Sequence, residues 1–278
     1  MCDFAAVIRP LLLFLGLFSI LYLGAALFLY FGQNRFLYHP QRYSLVAAQE
    51  GARELALKTW PATGSDIQGY LAIQSPETVR GTVLVFHGNA GTALGRSVYV
   101  TDLEPLGLRV ILVEYPGYGP CTGPLGEASL VSSARAVARQ AKAEFPEPLY
   151  ILGESLGCGV ACAVAADPTC DIAGIILITP WNNLPTLAQD HYPWFPTRWL
   201  VRDTYDNAAN LKDVCSPIAI VMAERDEIIP NPHTLALVRS LGDRTRLWTL
   251  QNVGHNDWGG AINLDWWHDI FTYLKIEL

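Results

Sequence analysis

This chain of 278 residues predicts a three-layer α/β fold with a mostly parallel sheet, preceded by one membrane-spanning helix. Three observations carry that expectation. From Gly81 onward, short apolar runs alternate with helical segments, the pattern of parallel strands joined by crossover helices. Residues 10–33 form a run of 24 without a formal charge. A serine, an aspartate and a histidine stand, in that order, each just past the end of an apolar run, where open parallel sheets gather their ligand sites.

The uncharged run comes first. As a helix rising 1.5 Å per residue it would reach about 36 Å, more than the ~30 Å hydrocarbon core of a bilayer. A cleaved secretory signal has an apolar stretch of only ~7–15 residues before a small-residue cleavage site. Here the run is longer and continues into Tyr30-Phe31-Gly32-Gln33-Asn34-Arg35. The reading is an anchor over residues 1–34, with membrane contact through residues 10–33, and a domain over residues 35–278. Arg9 on one side of the run against Arg35 and Arg42 on the other leans slightly toward a cytoplasmic domain. Long domains translocate largely regardless of such counts, so the side stays open. Cys2 is placed to be lipidated near the membrane, or to remain a plain thiol.

The remaining ~240 residues suffice for one domain with a sizeable core. A net charge of −7 and the lack of any basic cluster argue against a nucleic-acid partner. The six cysteines form no Cys-x-x-Cys pair and no short disulfide framework. Cys158 and Cys162, at i and i+4 behind the serine, read as packing residues rather than metal ligands. Neither a phosphate-binding loop nor a zinc motif occurs, so no cofactor and no metal is expected. Nothing in the sequence speaks to oligomeric state.

In chain order, residues 35–53 read as a juxtamembrane linker. Residues 55–60 and 67–74, joined by Pro61-Ala62-Thr63-Gly64-Ser65-Asp66, read as an antiparallel hairpin at the sheet edge. Strands are expected over 81–86, 109–115, 148–152, 172–178, 217–223 and 246–250. The all-apolar run 172–178 suits a central strand buried on both faces. Helices are expected over 125–145, 155–166, 232–241 and 263–275. Residues 181–210 form the one long stretch read as irregular.

The chemistry centres on Gly153-Glu154-Ser155-Leu156-Gly157, set between an apolar run and the small-residue segment Cys158–Ala166. A Gly-x-Ser-x-Gly turn from strand to helix forces the serine into a strained, protruding conformation, and glycines flank it because a Cβ there would collide with strand and helix. The pentapeptide alone is weak. Its partners strengthen it: Asp226 follows one predicted strand and His255 another, the order in which a nucleophile, its orienting acid and its base occur on such sheets. The acid is read as Asp226 rather than Glu224 or Glu227, because it stands three residues before Ile229-Pro230. An oxyanion site needs the N–H after the serine, Leu156, and one from the loop after an earlier strand. That second donor is Asn89, in His87-Gly88-Asn89-Ala90-Gly91. His87 itself is read as positioning that loop. The turn Pro116-Gly117-Tyr118-Gly119 is placed at the bottom of a pocket, which makes Tyr118 a lining candidate.

These motifs in register, with Asp226 before Ile228-Ile229-Pro230 and Gly254-His255-Asn256-Asp257 at the end, resemble the Bem46-type branch of the α/β-hydrolase superfamily over roughly residues 35–278. That branch is similar to bacterial membrane-anchored hydrolases and, more distantly, to eukaryotic depalmitoylating hydrolases. One departure is Glu114, where the branch usually shows Asp. The resemblance implies a short lid over the active site at about 181–210. Trp181, Trp194 and Phe195 in that segment, with Trp258 after His255, are then pocket candidates, or rings that simply pack the segment onto the domain. It also implies a Ser155–His255–Asp226 serine hydrolase acting on a small-molecule or lipid ester or thioester with an apolar acyl group. The alternatives are a peptidase or amidase on the same triad, or a non-catalytic binding protein on the same scaffold.

Overall fold

The structure, a computed structural model, describes residues 4–61 and 67–276. Cys2 and residues 62–66, within the segment expected to join the hairpin strands, lie outside the described residues. An eight-stranded sheet runs through the domain. Its strands are β1 (Leu57–Trp60), β2 (Gly69–Ala72), β3 (Gly81–Phe86), β4 (Leu108–Val113), β5 (Leu149–Glu154), β6 (Ile172–Ile178), β7 (Ile218–Ala223) and β8 (Thr245–Leu250). The spatial order is β8-β7-β6-β5-β3-β4-β2-β1. The β1–β2 and β2–β4 pairs are antiparallel and every other pair is parallel. The expected hairpin is thus the sheet edge, and β3, β4, β5 and β7 are buried along their whole length, as apolar runs must be when helices cover both faces.

Helices α2 (Leu45–Glu54), α3 (Val98–Leu103) and α10 (Leu264–Tyr273) cover one face, where Val83, Val85, Leu152 and Val221 meet Tyr99, Trp267 and Phe271. Helices α4 (Glu127–Glu144), α5 (Leu156–Ala165) and α9 (Asn231–Leu241) cover the other, over Leu84, Phe86, Ile151 and Ile220. Successive strand residues feed opposite cores, as the period of two requires. Strand register brings Phe86 opposite Gly153, and Gly153 opposite Leu177. The carboxyl ends of β3, β5 and β6 therefore form one rim.

Helix α1 (Phe4–Leu37) is continuous and, from Ile8 to Leu37, long and apolar enough to cross a membrane. The linker reading of residues 35–53 is corrected. Helix α1 runs on to Leu37, His39–Pro40 pairs in parallel with Ala90–Gly91, and α2 follows, with Ser44 accepting from the Ala47 N–H as its cap. Helix α2 buries only Ala48 and Ala52, so it left little apolar period to detect.

Residues 181–210 are likewise not irregular. They hold α6 (Leu184–His191), α7 (Thr197–Leu200) and α8 (Asn207–Asn210). Asn183 caps α6 by accepting from Thr186 N–H, with Pro185 in the first turn, and Asp206 caps α8 by accepting from Ala209 N–H. Those Asx residues were the available signal.

Away from the site, Glu104 follows α3 with its Oε1 buried and unpartnered. Burial pushes its carboxyl up to about 7, against the opposing pull of Arg109. A folded value above the unfolded one (4.5) means that the unfolded chain releases this proton first. The stabilisation is full below about 4.5 and is lost as pH rises through about 7. Relative to Glu104→Gln, the wild type should therefore lose thermal stability between pH 4.5 and 7.5. A pH-independent difference in melting temperature would contradict this.

Candidate active site

The rim of the sheet carries the site. Ser155 sits between β5 and α5 with φ 48° and ψ −115°, a region an L side chain occupies only when its surroundings impose it. Two close approaches impose it. A Cβ on Gly157 would lie 2.0 Å from the Phe86 carbonyl oxygen and 2.8 Å from that of His87; one on Gly153 would lie 2.5 Å from the Gly157 oxygen and 2.7 Å from Cys158 Cα. Glycine at both positions lets α5 press against β3 and β5 hard enough to turn the serine outward. Behind it, Cys158 Sγ donates to the Gly153 and Ile178 carbonyls, and burial pushes its thiol pKa well up. This is a packing thiol.

His255 Nε2 lies 3.0 Å from Ser155 Oγ, and its Nδ1 lies 2.8 and 3.0 Å from the two Asp226 carboxylate oxygens. Both side chains are nearly buried. Asp226 Oδ1 also accepts from the Ile228 and Ile229 N–H groups at 3.0 and 2.7 Å, which fixes the carboxylate against rotation. The loops after β7 and β8 are fastened together: Glu224 N–H donates to the Leu250 carbonyl and Arg225 N–H to that of Val253, while Glu224 and Glu227 side chains accept from the Asn252 and His255 N–H groups. The two flanking glutamates hold backbone, and Asp226 alone of the three meets the imidazole through its side chain. A serine hydroxyl, an imidazole and a carboxylate in this chain of hydrogen bonds can shuttle a proton off the serine oxygen.

The loop after β3 is held from several sides. The Asn89 carbonyl accepts from Tyr118 Oη and His39 N–H, its amide donates to the Leu37 carbonyl, and Tyr115 Oη donates to the His87 carbonyl. The His87 ring is fully buried between the Gly88 carbonyl, 2.8 Å from Nδ1, and Glu114 Oε1, 3.1 Å from Nε2. A carbonyl can only accept, so Nδ1 carries a proton. The Nε2–Glu114 contact then holds either an imidazolium against a carboxylate or a carboxylic acid donating to neutral imidazole. Glu114 Oε2 also accepts from Ala93 N–H, tying the end of β4 to the loop. A second buried carboxylate, Glu154, accepts from Arg96 Nε at 2.7 Å and Tyr99 Oη at 2.6 Å. These two acid-centred networks were not read as such from the sequence, where a buried glutamate looks like any surface glutamate.

A cavity of about 270 Å³ opens onto Ser155. Asn89, Ser155, Leu156, Trp181 and Phe195 line it, together with Leu187, Ile229 and, from α1, Leu29, Tyr30 and Phe36. Three sequence candidates stand outside this wall. Tyr118 is fully buried beneath the loop it supports. Trp258 stacks on Tyr99, with ring centroids 5.9 Å apart. Trp194 is 83% exposed and faces away. Aromatic density marked the right segment, but the direction of each ring depends on the short helices between the prolines. Among the described residues, no group of three or more His, Cys, Asp and Glu side chains is placed to hold a metal ion.

The two glycines make a sharp prediction. Gly157→Ala should abolish folding or shift α5 off β3, since backbone carbonyl oxygens rather than flexible side chains occupy the space. Normal expression with unchanged melting temperature would refute the close-approach account.

Comparison with known proteins agrees with this architecture. The alpha/beta hydrolase fold family matches residues 81–214. The chain is 32% identical to the lysophosphatidylserine lipase ABHD12 of Xenopus tropicalis over 61% of this chain and 48% of that protein. It is 27% identical to protein bem46 of Schizosaccharomyces pombe over 69% and 67%. The chain spans about half to two thirds of the length of the curated relatives it matches. Among solved structures, the Pyrococcus furiosus esterase Pf2001 superposes with a TM-score of 0.64 at 16% identity, covering 85% of this chain and 98% of the esterase, a likeness of fold. Sequence motifs, sheet order and relatives converge: the chain has the α/β-hydrolase fold and is similar to Bem46-type proteins.

Proposed function

We propose that this protein is a membrane-anchored serine hydrolase that cleaves a carboxylic ester or thioester with an apolar acyl group. One observation carries the proposal: Ser155 Oγ, 3.0 Å from His255 Nε2, lies at the wall of a cavity whose lining is mostly apolar. At about 270 Å³ the cavity is close to the lower end of small-molecule sites, ~300–1,000 Å³. The similarity to a lysophosphatidylserine lipase supports an ester with one acyl chain.

In this reading Ser155 Oγ attacks the carbonyl carbon while His255 Nε2 takes the hydroxyl proton. Asp226 holds the imidazole in the tautomer with Nδ1–H and stabilises the imidazolium that forms. Negative charge develops on the former carbonyl oxygen, and the Asn89 and Leu156 N–H groups, at the cavity wall, stabilise it. The position of Leu156 at the first turn of α5 adds the partial positive charge of a helix N-terminus. The oxyanion collapses, His255 protonates the leaving alkoxide or thiolate, and the acyl group stays on Ser155. Water then attacks the acyl carbon as His255 takes its proton, and the C–Oγ bond breaks as His255 returns that proton to Ser155 Oγ, releasing the acid. Residues 181–210 close the cavity as a lid, and no cofactor takes part in these steps.

Full-length protein in detergent should label with a fluorophosphonate. Ser155→Ala should lose the label and several orders of magnitude of ester turnover. Asp226→Asn should fold and lose turnover by about 10⁴-fold, while Glu227→Gln should lose far less. Labelling of Ser155→Ala, or loss on Glu227→Gln alone, would overturn these roles.

Chain length gives a separate test. Each methylene moved from water into the cavity contributes up to about 0.8 kcal/mol, or roughly fourfold in kcat/KM. For p-nitrophenyl esters kcat/KM should rise by graded steps from acetate to medium chains. Phe195→Ala should flatten the rise, whereas Trp194→Ala should leave it intact. A flat or falling wild-type profile would point to a small or polar substrate.

A further inference from the structure

The anchor helix and the 181–210 insertion are joined along their length, and the joints are spaced unlike those of a simple tether. Near the end of α1, Gln33 Oε1 accepts from Arg202 N–H at 2.8 Å, and Asn34 Oδ1 accepts from Arg202 Nη2 at 3.3 Å. Three turns earlier, Tyr22 Oη donates to the Trp194 carbonyl at 2.9 Å, and the Tyr22 ring stacks on Phe195 with centroids 5.2 Å apart. The insertion therefore runs alongside α1, from the level of residue 34 back to that of residue 22.

That level decides the matter. The uncharged run begins at Pro10, and from there to Tyr22 the helix rises only about 18 Å, against the ~30 Å of a hydrocarbon core. A helix that starts its crossing near Pro10 completes it near Leu29, about 10 Å beyond Tyr22. The segment fastened to Tyr22 cannot then stay in water. Two further observations fit a segment inside the bilayer. Trp194 and Trp199 are 83% and 85% exposed, and rings of this kind settle at membrane interfaces. The backbone of the tip is also largely satisfied from within, as hydrocarbon demands. Phe195 N–H donates to the Tyr192 carbonyl, Thr197 N–H to that of Phe195 and Trp199 N–H to that of Pro196, and Gln189 Nε2 caps the Phe195 carbonyl. Prolines 193 and 196 have no N–H to satisfy. Arg198, exposed between the rings, has a stem long enough to reach headgroups.

We propose that the tip of the insertion, around Trp194 and Trp199, is embedded in the bilayer beside α1. The cavity, walled by Leu29, Tyr30 and Phe36 on one side and Leu187 and Phe195 on the other, lies in the seam between them. A single-chain acyl lipid enters this seam from the membrane and presents its ester carbonyl to Ser155. The location of the tip rests on α1 crossing a membrane; the entry of an acyl ester rests in addition on the function proposed above.

Full-length protein is reconstituted into phosphatidylcholine vesicles in which a fraction of the lipid carries bromine on its acyl chain. Helix α1 contains no tryptophan, so emission quenched by bromine reports the domain. The quenched emission should fall in Trp194→Phe and Trp199→Phe and fall most in the double variant. If the emission lost in these variants was instead the part quenched by aqueous iodide, the rings are in water and the embedding is overturned. A second arm places a lysophospholipid ester in the same vesicles. Trp194→Ala/Trp199→Ala should raise KM for this ester several-fold with kcat and p-nitrophenyl acetate turnover unchanged; an unchanged KM would overturn entry from the bilayer. If wild type turns over neither ester, the functional reading fails, while the quenching arm still decides where the tip lies.

Discussion

The contact between Gly157 and the end of β3 is the constraint on which the rest of the site depends. Because residue 157 has no Cβ, the first turn of α5 comes within van der Waals reach of the Phe86 and His87 carbonyls. That approach sets three things together. It forces Ser155 to positive φ, it aims the N-terminal end of α5 at the rim of the sheet, and it brings the β3 loop with Asn89 beside the serine. A candidate nucleophile and two candidate oxyanion donors from separate parts of the chain are thus placed by close backbone packing that only glycine allows. The strain at Ser155, typically ~1–3 kcal/mol for such a conformation, is borne by a sheet buried on both faces.

The remaining parts of the site are held by carboxylates in different employments. Asp226 faces the imidazole, while Glu224 and Glu227 beside it accept backbone N–H groups and so fix the loops that present Asp226 and His255. On the other side of the serine, Glu154 and Glu114 sit nearly or fully buried, Glu154 on Arg96 and Tyr99 and Glu114 on the His87 ring and Ala93 N–H. Buried acids of this sort cost free energy unless fully satisfied. Here they are satisfied by the loops that bound the cavity, so breaking one would loosen the loop as well as unpair the acid. Glu114 touches none of Ser155, Asp226 and His255; it meets the loop through His87, which shares that loop with Asn89.

The sheet and the chain order of Ser155, Asp226 and His255 were legible because both are written locally. Fully buried strands are unbroken apolar runs, and Ser155, Asp226 and His255 each follow one. What failed was direction and small-residue packing. Helix α2 buries two alanines and shows almost no apolar stripe. Trp181 and Trp194 belong to the same aromatic segment, yet one is buried at the cavity and the other faces outward. The difference comes from the turns at Pro193 and Pro196 and from contact with Tyr22, 172 residues away in sequence. Tyr118 and Trp258 were near the site in sequence; in space Tyr118 supports the Asn89 loop from behind, while Trp258 stacks on Tyr99. The role of α1 as a wall was invisible for the opposite reason: a helix apolar all round carries no mark of which side meets protein.

That last point changes what chain length means for this site. Measured from water, each methylene of a substrate gains the full transfer free energy on entering the cavity. Measured from a bilayer, the chain is already in hydrocarbon, so the hydrophobic effect is largely spent before binding begins. What remains to discriminate substrates in the membrane is the fit of the chain against Phe36 and Phe195 and the polar contacts of the headgroup. Gln33, Asn34 and Arg202 gather where α1 leaves its apolar run, a level with hydrogen-bonding groups. On the proposed reading, the apolar cavity admits acyl lipids as a class, and selection among them falls to the polar rim.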